Sequence, residues 1–184
     1  MKKHFPYLYQ IMQGLLYPAM LGTFFVALFQ NIQTKNAWTF SFDFFLYFVM
    51  IIYFIISFTI NQTLSKLKIY NSLTFISDIA EIVLMFFLFS IISYDNIDNP
   101  TNKYSSFYLL SSGIPVAQTF WNISLAETRK IFWILNCIYF VISLLFGFWL
   151  YQFLVARVIF LSVTVIMISY YFYALVIDEK QFND

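Results

Sequence analysis

Apolar stretches alternate with short polar connections along the whole chain. Residues 4–34 carry no Lys, Arg, Asp or Glu, and their dense apolar part is 11–29. A second dense stretch covers 44–60, and a third covers 73–92, apolar except near its start. The long run 131–177 is interrupted at Gln152 and Arg157, too long for one membrane crossing and right for two, 131–150 and 158–177. A helix rises 1.5 Å per residue, so a hydrocarbon core about 30 Å thick needs about 20 apolar residues. Five strong helical spans are therefore expected. A sixth stretch, 107–125, is uncharged but rich in Ser, Thr, Asn and Gln, and reads as marginal or re-entrant.

Composition agrees with this pattern. Of the 184 residues, 61% are hydrophobic and 10% charged, and mean hydropathy is +0.77. Soluble domains are about 45–50% apolar and about 25% charged. The chain lacks the polar atoms to cover a water-facing surface, which excludes a soluble enzyme, a disordered chain and a secreted disulfide scaffold. The expected fold class is all-α: a polytopic transmembrane helical bundle of six membrane segments, forming one integral membrane domain over 1–184 with no soluble domain. Met1-Lys2-Lys3 resembles the start of a signal peptide, but Pro6 and Pro18 interrupt the apolar stretch behind it and no small-residue cleavage site appears. The first apolar stretch is therefore expected to be retained.

Charge sets the expected orientation. With six segments and a cytoplasmic N-terminus, the inner cations are Lys2, Lys3, Lys66, Lys68, Arg129, Lys130 and Lys180, and the outer ones are Lys35, Lys103 and Arg157. Seven against three satisfies the positive-inside rule, whereas five segments give no bias. Both termini are thus expected in the cytoplasm, with loop 95–103 outside. Trp38, Tyr94, Tyr104, Trp149 and Tyr151 are expected at the outer interface, and Trp121, Trp133, Tyr170, Tyr171 and Tyr173 at the inner one.

The supply of chemical groups is narrow. The chain has one histidine, His4, and one cysteine, Cys137, the latter expected to be a small buried hydrophobe. A zinc site needs three or four converging ligands, and a nucleophilic triad needs a histidine beside its nucleophile. Neither is available, so no catalytic residue, metal or cofactor is expected, and the chain is expected not to be an enzyme. A net charge of +1 with no basic cluster excludes direct nucleic-acid binding.

Three features remain. Thr74, Ser77, Asp78 and Glu81 share one face of the third segment, with Glu81 about 12 Å along it. This stripe is the candidate polar cavity or ion path, because ionisable residues within the membrane cost free energy and mark pathways. It also admits a structural reading, as a helix-start feature or as partner of a cation, Arg129 or Lys130 in the six-segment arrangement and Arg157 in a five-segment one. Gly14, Pro18 and Gly22 recur every fourth residue of the first segment and form a candidate helix-packing face. It is expected to pack within the chain, with a homo-oligomer interface as the alternative. Gly113 and Pro115 are a candidate helix break in 107–125.

Expected partners are the lipid bilayer and either a protein partner or a second copy. A non-enzymatic accessory or regulatory subunit comes first among functions. The alternatives are an oligomeric channel or small transporter using the Asp78/Glu81 face, and a membrane-embedded lipid enzyme. In size and span count the chain looks like the small membrane accessory proteins of some RNA-targeting CRISPR loci, and no motif carries that likeness.

Overall fold

The computed structural model describes residues 6–34, 42–67, 70–93, 100–124 and 130–183. Within them the chain is helical except at 70–71, Ser112 and 151–153, in the order α1 (Pro6–Ile11), α2 (Tyr17–Thr34), α3 (Phe42–Leu67), α4 (Ser72–Ser93), α5 (Pro100–Ser111), α6 (Gly113–Ser124), α7 (Lys130–Leu145) and α8 (Leu154–Asn183). Two π-helical turns, Met12–Leu16 and Phe146–Leu150, continue α1 into α2 and extend α7. Four stretches are long and apolar enough to cross a membrane: Tyr7–Gln30, Phe42–Ile60, Ser72–Ser93 and Lys130–Leu150. The apolar part of α8, Leu154–Tyr170, is shorter.

The first π-helical turn has a cause in the sequence. Pro18 has no N–H, and its ring would crowd the carbonyl four residues back, that of Gly14. The wide turn places the Tyr17 N–H on the Met12 carbonyl and lets the helix continue past the proline.

The helices lie side by side in alternating directions, as their contacts show. Tyr17 meets Phe54 and Phe58, while Phe24 meets Phe54 and stacks on Phe89 at 3.8 Å. At one end Asp43 joins Lys103 and Tyr104, and Arg157 lies over the Tyr104 ring at 3.8 Å. At the other end Asn71 and Thr74 join Ser124. Phe160 is the hub of the second half, touching Phe107, Tyr108, Tyr139 and Phe146. In lipid no hydrophobic effect holds helices together, so ring packing of this kind carries the association.

The bundle is apolar outside and partly polar inside. Ile76, Val83, Phe86 and Phe87 point outward from α4, while Thr74, Ser77, Asp78 and Glu81 are buried. The buried stripe of α7 is Phe132, Asn136, Tyr139 and Ser143. Cys137 lies one position off that stripe and is exposed on the outer surface, contrary to the expectation of a buried hydrophobe. Outward hydroxyls bond their own helix: Thr23 donates to the Ala19 carbonyl, Thr59 to Ile55, Ser162 to Val158 and Ser169 to Val165. Such back-bonding satisfies a hydroxyl without water, as a lipid-facing position requires.

Tyr104 and Trp121, expected at the interfaces, are buried. Trp149 is exposed. Loop residues 94–99 lie outside the described residues, as do His4, Trp38 and Arg129.

Candidate functional site: two carboxylates inside the bundle

The α4 helix begins on a side-chain cap. Asn71 Oδ1 accepts from the backbone N–H groups of Leu73 and Thr74 at 2.9 and 3.2 Å, the role expected of Asn before a first helical turn. Its amide donates to the Ser124 carbonyl at 3.1 Å, and the Thr74 and Ser124 hydroxyls pair at 2.8 Å. The start of α4 is thereby tied to the end of α6, and this tie sets the register of the acidic stripe.

Asp78 is fully buried. Tyr70 donates to its Oδ2 at 2.6 Å, and Tyr17 of α2 donates to Oδ1 at 3.4 Å. Both carboxylate oxygens thus accept from phenols on different elements. Burial first, and then the negative Asp78, hold the Tyr70 phenol above its ordinary range.

Glu81 lies one turn further along and is also buried. Its Oε1 accepts from Ser57 at 2.6 Å, from Tyr53 at 3.1 Å and from the Gln118 amide at 3.5 Å. The Gln118 amide also donates to Tyr53 Oη at 3.0 Å and to Ser57 Oγ at 3.3 Å. These donors come from α3 and α6, which meet each other at Glu81. An oxygen gathering several donors is an environment built for an acceptor carboxylate.

The predicted stripe is therefore divided. Asp78 faces α2 and the connection before α4, whereas Glu81 faces α3 and α6. Thr74 joins the cap, and Ser77 donates to its own Leu73 carbonyl at 2.9 Å. Only the two carboxylates have the geometry of a chemical site. Of the cations named as possible partners, Lys130 is exposed at the start of α7, and Arg157 sits on Tyr104 at the opposite end of the bundle.

The candidate break is present at Ser112, between α5 and α6. The Tyr108 and Leu109 carbonyls before it are occupied. Ser111 Oγ donates to the Tyr108 carbonyl and Ser112 Oγ to the Leu109 carbonyl, at 2.7 and 2.6 Å, and the Ser112 N–H reaches both. Gly113 allows close packing, since a Cβ there would stand 2.8 Å from Leu84 Cδ2. This bend is a close-packed kink with the Tyr108 and Leu109 carbonyls already used.

The small face of α2 turns away from the bundle. A Cβ at Gly14 or Gly22 would meet nothing within 4 Å, and Pro18 is exposed. The opposite face, with Tyr17, Phe24 and Leu28, is the buried one. Within the described chain Gly14, Pro18 and Gly22 therefore do not form the internal packing face that was expected. The close approach occurs at Gly113 and Gly147 instead.

Tyr17, Tyr53, Ser57, Tyr70, Asn71 and Gln118 were not singled out from the sequence. Asn71 carried a usable signal, an Asn directly before an apolar helical run. The tyrosines carried none, because a phenol in an apolar segment looks like any other ring. Compared with protein-family models, curated proteins and solved structures, the chain matches none.

Proposed function

We propose that the chain is a non-enzymatic integral membrane protein whose Asp78/Glu81 pair binds and releases protons, as the site of a small transporter or channel. The observation that carries this reading is Glu81 itself. A carboxylate is held within an apolar bundle by Ser57, Tyr53 and Gln118, at a depth where ionisable groups are costly. Hydroxyl neighbours both stabilise a carboxylate and pass protons, so the same groups serve a protonated and an ionised state.

The proposed topology has six segments with both termini cytoplasmic. It draws support from α5 and α6, which together run antiparallel along α4: Gly113 lies against Leu84, Gln118 against Glu81 and Ser124 against Thr74. The Lys/Arg asymmetry favours the same arrangement.

The test is reconstitution of the full chain in vesicles carrying a pH-sensitive dye. An imposed pH gradient is expected to collapse faster than in empty vesicles, and Glu81→Gln is expected to remove the difference. Equal rates for wild type and Glu81→Gln overturn the reading.

A second reading is a subunit that assists a larger assembly, either of unlike chains or of copies of this one. The outward face of Gly14, Pro18 and Gly22 favours it, since small residues admit close helix approach in lipid. Co-purification with a stoichiometric partner, together with absence of proton flux, would favour this reading over the first.

A further inference from the structure

The Asp78/Glu81 site occupies one half of the interior, and the other half has polar contacts of its own. The Tyr139 and Thr164 hydroxyls lie 3.4 Å apart between α7 and α8. The Ser111 and Ser143 hydroxyls lie 3.3 Å apart between α5 and α7. Tyr108 is wholly buried, and its hydroxyl has no hydrogen-bond partner among the described residues. Beyond it, at the far end, Arg157 covers Tyr104 and Lys103 meets Asp43 at 2.7 Å.

A cavity of about 30 Å³ separates the two halves. Tyr53 and Gln118, which hold Glu81, line one side, and Tyr139 and Thr164 line the other. Met50 and Met167 are among the apolar residues of its wall. A water molecule needs at least about 10–15 Å³ of such space and two to four polar partners. The cavity thus admits one water and is too small for a hydrated metal ion or an organic solute. Its apolar walls disfavour occupancy. Narrow apolar constrictions gate by wetting and drying, and methionine is the side chain most able to adjust such a space.

We propose that this cavity is the gate of a proton path running from Glu81 to the Tyr139/Thr164 pair, open when one water occupies it and closed when it is dry. The proposal rests on the reading of Glu81 as a proton-binding group. Neutral Glu81 gives its proton to the Tyr53 oxygen, while Tyr53 gives its own hydroxyl proton to the cavity water. The hydronium so formed passes a proton to the Thr164 oxygen, while Thr164 turns its own hydroxyl hydrogen from the Phe160 carbonyl, 2.9 Å away, to the Tyr139 oxygen, and Tyr139 releases its own hydroxyl proton onward. Each transfer breaks one O–H bond and forms one. Glu81 is left as the carboxylate until a proton arrives from the Asp78 side. Tyr139 in turn passes its own hydroxyl proton to Ser111, which faces it, and the Ser143 hydroxyl, 3.3 Å from Ser111, is the next acceptor.

The experiment uses the full chain in dye-loaded vesicles. Met167→Ala enlarges the cavity and is expected to raise proton flux severalfold. Thr164→Val removes the receiving hydroxyl at nearly constant shape and is expected to lower flux severalfold without changing the thermal unfolding midpoint in detergent. Glu81→Gln is expected to abolish flux in the wild type and in Met167→Ala alike. If Met167→Ala and Thr164→Val both conduct like the wild type while Glu81→Gln is dead, the gate is overturned and the role of Glu81 stands. If Glu81→Gln conducts normally, that role falls and the gate with it. Sodium or potassium flux through the wild type would overturn the size argument. Met50→Ala, on the same cavity wall, replaces Met167→Ala if that variant fails to fold, with the same expected rise and the same overturning result.

Discussion

Tyr70 donates to Asp78 across 2.6 Å from just before the helix that carries the carboxylate. The tyrosine is itself fully buried and rests edge-on against Tyr9, with ring centroids 5.5 Å apart. The start of α4 is thus a place where a phenol, an acid and an Asn cap are fixed together.

Tyr70→Phe keeps the ring contact and removes only the donor. A buried acceptor that loses its partner typically costs about 1–3 kcal/mol. A clear drop in the thermal unfolding midpoint in detergent is therefore expected. An unchanged midpoint would mean that Tyr17 and the rest of the site hold Asp78 unaided.

The glycines make opposite predictions. A Cβ at Gly147 would stand 2.7 Å from Leu109 Cγ and 3.1 Å from the Leu109 backbone N, so backbone as well as side chain must move. Gly147→Ala is expected to destabilise by about 1–3 kcal/mol, as overpacking does. Gly22→Ala meets nothing within 4 Å and is expected to be neutral, or to stabilise by up to about 1 kcal/mol through helix propensity. Unfolding curves of the two variants side by side decide the matter. Damage from Gly22→Ala in the assembled protein alone would place a second chain on that face.

The contrast between these glycines marks where the sequence is legible. Apolar runs locate helices because lipid tolerates only segments that satisfy their own backbone, and the stretches at 11–29, 44–60, 73–92 and 131–150 were legible for that reason. Asp78 and Glu81 were legible because a charge in such a run is rare. The inward face of α2 was not, since in lipid both faces are apolar and hydrophobicity no longer separates inside from outside. Gly14 and Gly22 have the spacing of a packing face, yet Tyr17 and Phe24, on the other side of the helix, fill the interior. The donors to Glu81 come from Ser57 and Gln118, residues 24 and 37 positions away, and no local pattern brings them together.

Topology can be checked on described residues. Gln152 is exposed between the second π-helical turn and α8, at the end where Arg157 covers Tyr104. Lys130 is exposed at the start of α7, at the opposite end. With Cys137 replaced by Ser, Gln152→Cys is expected to react with a membrane-impermeant thiol reagent from outside intact cells. Lys130→Cys is expected to react only after lysis. The reverse result is that of the five-segment arrangement or of an inverted bundle, and labelling of both from one side removes a crossing at 131–150.

Glu81 offers the last comparison. Glu81→Gln keeps the volume and one acceptor oxygen, so Ser57 and Tyr53 can still donate, and a loss of about 1 kcal/mol is expected. Glu81→Lys brings a group with only donors to face Ser57, Tyr53 and the Gln118 amide, all of which now donate to this position. Those hydroxyls and the amide would have to turn around, and Asp78, one turn away, would be the nearest carboxylate to answer the charge. Leaving a buried charge without a proper partner costs about 3–5 kcal/mol, so Glu81→Lys is expected to lose folded yield where Glu81→Gln does not. A compensating acid should work only if it reaches the same end of the bundle. Arg157 lies on the Tyr104 ring at the other end, so Arg157→Glu is expected to give no rescue of Glu81→Lys and to add its own loss by placing an acid near Asp43. Recovery of yield in that double variant would require Arg157 to lie beside Glu81, which is the five-segment arrangement.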